Sequence, residues 1–133
     1  GKVYVSLDEK LLFKSGHYTI DARGKTALQK LAEVLAENKD INILIEGHTD
    51  DVPFNGKGDI QDNWDLSVKR ATTVVKVLLD NKKLAPERLM AAGRSEFIPV
   101  EKAKSPEARA KNRRTEIILT PKLDELLKIL ENN

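Results

Sequence analysis

The sequence predicts an α+β fold, an α/β sandwich in which helices pack against a mixed sheet in the order β-α-β-α-β-β-α. Three observations lead there. Strand-like runs, alternating or β-branched, recur along the chain as "KVYVSL" (2–7), "INILIEG" (41–47) and "RRTEIILT" (113–120). Two longer segments between them, 22–38 and 62–79, repeat apolar residues at helical spacing. Polar, turn-rich connections separate these runs, with no internal repeat and no low-complexity linker. Strand and helix alternate at the start, so part of the sheet should be parallel, with right-handed crossovers.

The first strand sets Val3, Val5 and Leu7 against polar neighbours. "LLFKSGHYTI" (11–20) then leads through Gly16 into a loop. Asp21 caps a helix whose apolar positions are Leu28, Leu31, Ala32, Leu35 and Ala36, and Asn38 suits its end. "INILIEG" reads as a central strand closed by Gly47. "HTDDVPFNGKGDIQ" is a polar loop with Pro53, Gly56 and Gly58, and Asp62 is the expected N-cap of the next helix. "APERLMAAG" (85–93) predicts a turn and a short strand, and a helical turn is expected after Ser105. The last two strands are about 20 residues apart, too far for a tight hairpin. Pro121 should stop the final strand and start an amphipathic helix carrying Leu123, Leu126, Leu127 and Leu130 on one stripe.

At 133 residues the chain suits a single hydrophobic core. Its 23 basic and 21 acidic residues are well mixed, which gives no charge argument for nucleic acid or a membrane surface. Six aromatic residues supply no base-stacking platform, so no nucleic-acid partner is expected. No cysteine is present, which removes disulfides, thiolate metal sites and cysteine nucleophiles. No apolar stretch approaches the roughly 18 residues of a membrane helix, and no signal peptide opens the chain. Membrane attachment is therefore expected only through segments outside this sequence.

One residue breaks the pattern. Stepping about 100° per residue from Leu66, Val77 falls at about 20°, Arg70 at about 40° and Val74 at about 80°. Arg70 is the one charged side chain within the apolar arc of its helix, and Ser67 and Asn63 lie toward the N-terminal end of the same line. A buried guanidinium must be paired and hydrogen-bonded. One reading is an internal ion pair, or a packed stem whose head reaches water. The other is an arginine aimed at a ligand carboxylate in the fork geometry that matches one. Thr49 and Asp50 follow the second strand, at the crevice where strand ends and helix starts meet in open sheets. An Asp and an Arg held apart there suit a zwitterion such as an amino-acid head. The same two residues could also pair with each other.

Other chemistries are poorly served. His48 beside Asp50 and Asp51 is too few ligands for a zinc site, so no metal is expected. "FNGKGD" lacks the phosphate-loop spacing. Trp64 is read as packing rather than sugar stacking. Of Arg113 and Arg114, one is expected to face solvent, since strand side chains alternate. No nucleophile elbow is present, and no cofactor is expected. Asp50 with Glu46 fits a glycosidase pair only loosely.

"GHTDD" (47–51), "NWDLSVKRA" (63–71), "RLMAAGRSEFIP" (88–99) and "ARAKNRRTEIIL" (108–119) together resemble the OmpA C-terminal-like peptidoglycan-binding family. The "TDDVP" and "NWDLS" variants look especially like members in MotB-type stator proteins, and "LLFKSG" (11–16) looks like the family's opening segment. The resemblance spans residues 3 to about 120. It implies a β-α-β-α-β-β sandwich over residues 1–120, with 121–133 as a C-terminal helical extension. It implies non-covalent, non-enzymatic binding of peptidoglycan through the diaminopimelate of the stem peptide, anchoring an envelope protein to the cell wall. The implied site is Asp50 for the ligand ammonium, Arg70 bidentate on its carboxylate, and Arg113 adding positive potential or holding Asp50. Thr49, Asn63 and Leu66 line the pocket, and Ser15, Gly16 and His17 lie in the loop that closes it. Lys14 and His17 depart from the family's usual rim. The implied location is the periplasm of a Gram-negative bacterium, at the outer membrane or an inner-membrane stator, with a homodimer possible by analogy. The alternatives are a wall hydrolase, or a protein-interaction module with a structural Asp50–Arg70 ion pair.

Overall fold

A four-stranded sheet in the order β1-β4-β2-β3 carries the two long helices on one face. The computed structural model describes residues 1–14, 16–56, 58–122 and 130–131. The elements are β1 (Val3–Asp8), α1 (Glu9–Leu12), α2 (Ala22–Glu37), β2 (Ile41–His48), α3 (Asn63–Leu78), a 3₁₀ turn (Pro86–Arg88), β3 (Leu89–Gly93), α4 (Pro106–Asn112) and β4 (Arg114–Pro121).

β2 and β3 are parallel, joined through α3 as a βαβ unit. β1 and β2 are not neighbours, because β4 lies between them and runs antiparallel to both. The first strand–helix–strand unit is therefore split by the last strand. Capping follows the sequence: Asp21 accepts from the Arg23 N–H, Asp62 from that of Asp65 and Ser105 from that of Ala108.

Ile43 and Ile45 on β2 and Ile117 on β4 meet Leu28, Leu35, Val74 and Leu78 from the helices in the core. Each fully buried aliphatic side chain stabilises the fold by about 1.5–3 kcal/mol. Arg88 is buried as well. Its guanidinium donates to the carbonyls of Leu35, Asn38 and Ile41, closing the end of α2 over the start of β2. At the other end of β2 there is no side chain at Gly47, and a Cβ there would collide with the Ser67 carbonyl. That close approach seats the N-terminal half of α3 on the ends of β2 and β3. The Ser67 hydroxyl accepts from the Ser95 N–H at 3.1 Å.

One expectation needs correction. The segment before Gly16 is not all loop: Glu9–Leu12 forms a helical turn, and Phe13 bridges to Ile20. Pro121 ends β4 as expected, paired with Ile41 as its last residue; β1 pairs with β4 only as far as Leu119, so the ladder on that side needs no N–H from Pro121. The expected leucine-striped helix lies largely outside the described residues; only Leu130 and Glu131 of it are described.

Candidate functional site

The strand end of β2, the first two turns of α3, α1 and the start of β4 border one cleft of about 190 Å³. Of the residues expected to form a site, Gly16, Thr49, Asp50, Asn63, Leu66, Arg70 and Arg113 all line it. Ser15 lies outside the described residues. Gly16 takes φ 72°, a left-handed conformation that suits glycine and turns the rim loop back toward Phe54.

The charges are arranged differently from the expectation. Arg70, only 4% exposed, is not paired with Asp50. Its Nη1 donates to Glu9 Oε2 at 2.9 Å and its Nε to the His17 carbonyl at 2.8 Å. The guanidinium lies over the Phe13 ring at 5.0 Å, and its Nη2 has no hydrogen-bond partner among the described residues. Asp50 pairs instead with Arg113, whose Nη1 donates to Oδ2 at 2.8 Å. Arg113 Nε also lies 3.6 Å from Glu9 Oε2. The cleft floor thus runs Arg70, Glu9, Arg113, Asp50, with signs alternating. The structural Asp50–Arg70 pair is absent, and so is a free fork on Arg70, because two of its three nitrogens are already engaged.

The loop after β2 is fixed by its own polar groups. Asp50 Oδ1 accepts the Val52 N–H at 3.0 Å, Thr49 Oγ1 donates to the Asp50 carbonyl at 2.9 Å, and Asn63 Nδ2 donates to the Val52 carbonyl at 3.0 Å. Asn63 therefore holds the rim at the helix start. On the far side of this loop, Asp51 faces away from the cleft and pairs with Lys104 at 2.7 Å and Arg109 at 2.8 Å. The hydrogen bonds from Arg109 and Lys104 hold its carboxyl well below the usual carboxylate range.

Sequence reasoning missed Glu9, whose carboxylate is buried between two arginines. The signal was indirect: a buried arginine requires a carboxylate, but this one lies 61 positions away in sequence. The other readings divide. Trp64 is 49% exposed and rests against Phe97 with ring centroids 5.5 Å apart, so it packs without being enclosed. Neither arginine of the 113–114 pair stands free in solvent. Arg114 is buried, bonded to Glu116 and to the carbonyls of Asn112 and Ile98. The Ile98 carbonyl reaches Arg114 from the loop between β3 and α4. His48 does not join Asp50 and Asp51; it turns to Glu46 at 2.8 Å. Glu46 does not line the cleft that Asp50 lines.

Residues 12–113 match the OmpA family. The chain belongs to the OmpA family. It is 35% identical over 118 residues to Motility protein B of Bacillus subtilis, covering 89% of this chain and 45% of that relative. This OmpA-family chain thus spans under half of that protein's length. Among solved structures, the cell wall anchor of the type VI secretion system from Pseudomonas aeruginosa is 31% identical with a TM-score of 0.81, covering 91% of this chain and 82% of the other. The periplasmic domain of Helicobacter pylori MotB is 26% identical with a TM-score of 0.81, covering 96% and 82%. The mixed sheet and its helices are those of the OmpA-family domains in these proteins. Among the described residues, no helix is long and apolar enough to cross a membrane.

Proposed function

We propose that this OmpA-family domain anchors an envelope protein to peptidoglycan, reversibly and without chemistry, by taking the amino-acid head of the stem peptide's diaminopimelate into the cleft. The observation that carries this reading is Arg70 Nη2, a cationic donor with no partner among the described residues on the wall of an otherwise charge-balanced cleft. A buried donor of this kind is costly until an anion meets it. In this reading the ligand carboxylate bridges Arg70 Nη2 and the more exposed Arg113, so the grip is shared by two guanidinium groups. The ligand ammonium sits against Asp50, with Thr49 beside it. Leu66 and Phe54 provide apolar wall, and Gly16 and Ser15 form the rim.

The relatives support the anchoring role, since one of them is named a cell wall anchor. They also support a periplasmic setting. The 35% identity with Motility protein B fits the likeness to MotB-type stator proteins, and with it a membrane-attached, homodimeric assembly of that type.

Calorimetric titration of meso-diaminopimelate, or a muropeptide carrying it, tests the proposal on wild type, Asp50→Ala and Arg70→Ala, with folding followed by circular dichroism. Wild type should bind and both folded variants should not. Amidating the ligand carboxylate should weaken binding by about 1.5–3 kcal/mol, the worth of one hydrogen bond to a charged group. Folded wild-type protein that binds neither ligand sinks the proposal, and turnover of the muropeptide would favour the hydrolase.

A further inference from the structure

The face of the sheet away from α2 and α3 carries a second cluster that the cleft does not use. Side chains alternate along a strand. Ile43 and Ile45 enter the core, so Glu46 and His48 share the opposite face of β2. On β4, Glu116 stands directly across from Glu46, and Arg114 directly across from His48. Two glutamates directly opposed on neighbouring strands repel and cost stability.

The cluster is incompletely neutralised. Arg114 Nε donates to Glu116 Oε1 at 2.9 Å, and His48 Nε2 lies 2.8 Å from Glu46 Oε1. Two carboxylates thus share one guanidinium. His48 is 2% exposed, and its Nδ1 makes no hydrogen bond among the described residues. The 2.8 Å contact with the Glu46 carboxylate, which can only accept, needs the ring proton on Nε2; moving that proton to the unbonded Nδ1 frees the Nε2 lone pair for an ion.

We propose that Glu46, His48 and Glu116 form a binding site for a divalent transition-metal ion, with zinc as the natural occupant. One ligand atom from each residue lies within 4.8 Å of the other two. Tetrahedral zinc with ligands at about 2.0–2.2 Å needs ligand atoms about 3.4 Å apart, which a small rotation of the glutamates supplies. Imidazole and carboxylate are both zinc ligands, and water completes the fourth position. The histidine forms the floor. The glutamate side chains, 17% and 20% exposed, form a mouth open to solvent. Arg114 stays bonded to one oxygen of Glu116, leaves the other for the ion, and orients that carboxylate from behind. The ion relieves the repulsion between the opposed glutamates and ties β2 to β4.

The test is thermal unfolding and calorimetry of chelator-treated protein with zinc chloride, for wild type, Glu116→Gln, His48→Gln and His17→Gln. Wild type should bind one zinc and its Tm should rise. Glu116→Gln should bind about tenfold or more weakly, since loss of even an outer-shell partner costs about 10–100-fold. His17→Gln, which changes the exposed second histidine, should behave as wild type. Glu116→Gln keeps the test decisive if His48→Gln does not fold. Absence of a zinc-dependent Tm rise in wild type overturns the proposal, as does a zinc affinity undiminished in Glu116→Gln or a rise that disappears in His17→Gln.

Discussion

Glu9→Ala should be among the most destabilising single changes at the cleft. The Glu9 and Arg70 side chains are 8% and 5% exposed, and their 2.9 Å contact is shielded from solvent. Alanine would leave the Arg70 guanidinium buried with the His17 carbonyl as its one acceptor among the described residues. Removing one partner of a buried ion pair costs about 3–5 kcal/mol, chiefly because the other charge stays buried unpaired. Arg113 lies 3.6 Å from the same carboxylate oxygen but is tied to Asp50, so its loss is smaller. Glu9→Gln, which keeps an acceptor oxygen and the shape, should cost about 1–3 kcal/mol. Urea unfolding at constant m measures both. A double-mutant cycle then distinguishes the partners: Glu9 and Arg70 should couple strongly, and Asp50 and Arg70 should be nearly additive. A cost below about 1 kcal/mol for Glu9→Ala would show that the Arg70 head reaches water, as exposed pairs contribute no more than that. Strong Asp50–Arg70 coupling would refute the alternating arrangement.

Two further outcomes follow from the geometry. Asp51 has its folded-state carboxyl held low by Arg109 and Lys104, so its stabilising contribution is present above the unfolded value near pH ~3.9 and fades as pH falls through the folded one. Asp51→Asn should therefore lower stability at pH 7, with the gap to wild type closing in strong acid; a gap that widens with acid in urea titrations at several pH values contradicts the assignment. Gly47→Ala drives a methyl into the Ser67 backbone, which no rotamer can relieve, and should cost at least about 1–3 kcal/mol by overpacking. A Gly47→Ala protein with wild-type urea stability would mean that α3 does not sit so closely on β2.

Much of this protein is legible in local sequence because local physics decides it. Asp21, Asp62 and Ser105 cap the helices they precede, since a cap needs only a side chain and an N–H two or three residues on. The alternation of β1 and the β-branched run of β2 mark strands at nearly their observed bounds. Helical phase alone puts Arg70 on the inward face of α3, and ordered motifs point to Thr49, Asp50, Asn63, Leu66 and Arg113 as companions. The partners of those charges are another matter. Glu9, 61 positions from Arg70, and the Asp50–Arg113 pair, 63 positions apart, meet only because β4 inserts between β1 and β2. That insertion also sets Glu46 across from Glu116 and His48 across from Arg114. Strand order and register come from the packing of whole faces, and no short window of sequence contains them. The sequence by itself determined which side chains turn inward at the end of β2 and along α3. The tertiary structure alone decided which charges neutralise one another and which nitrogen of Arg70 is left for a ligand, because pairing depends on distances between segments that the chain holds far apart.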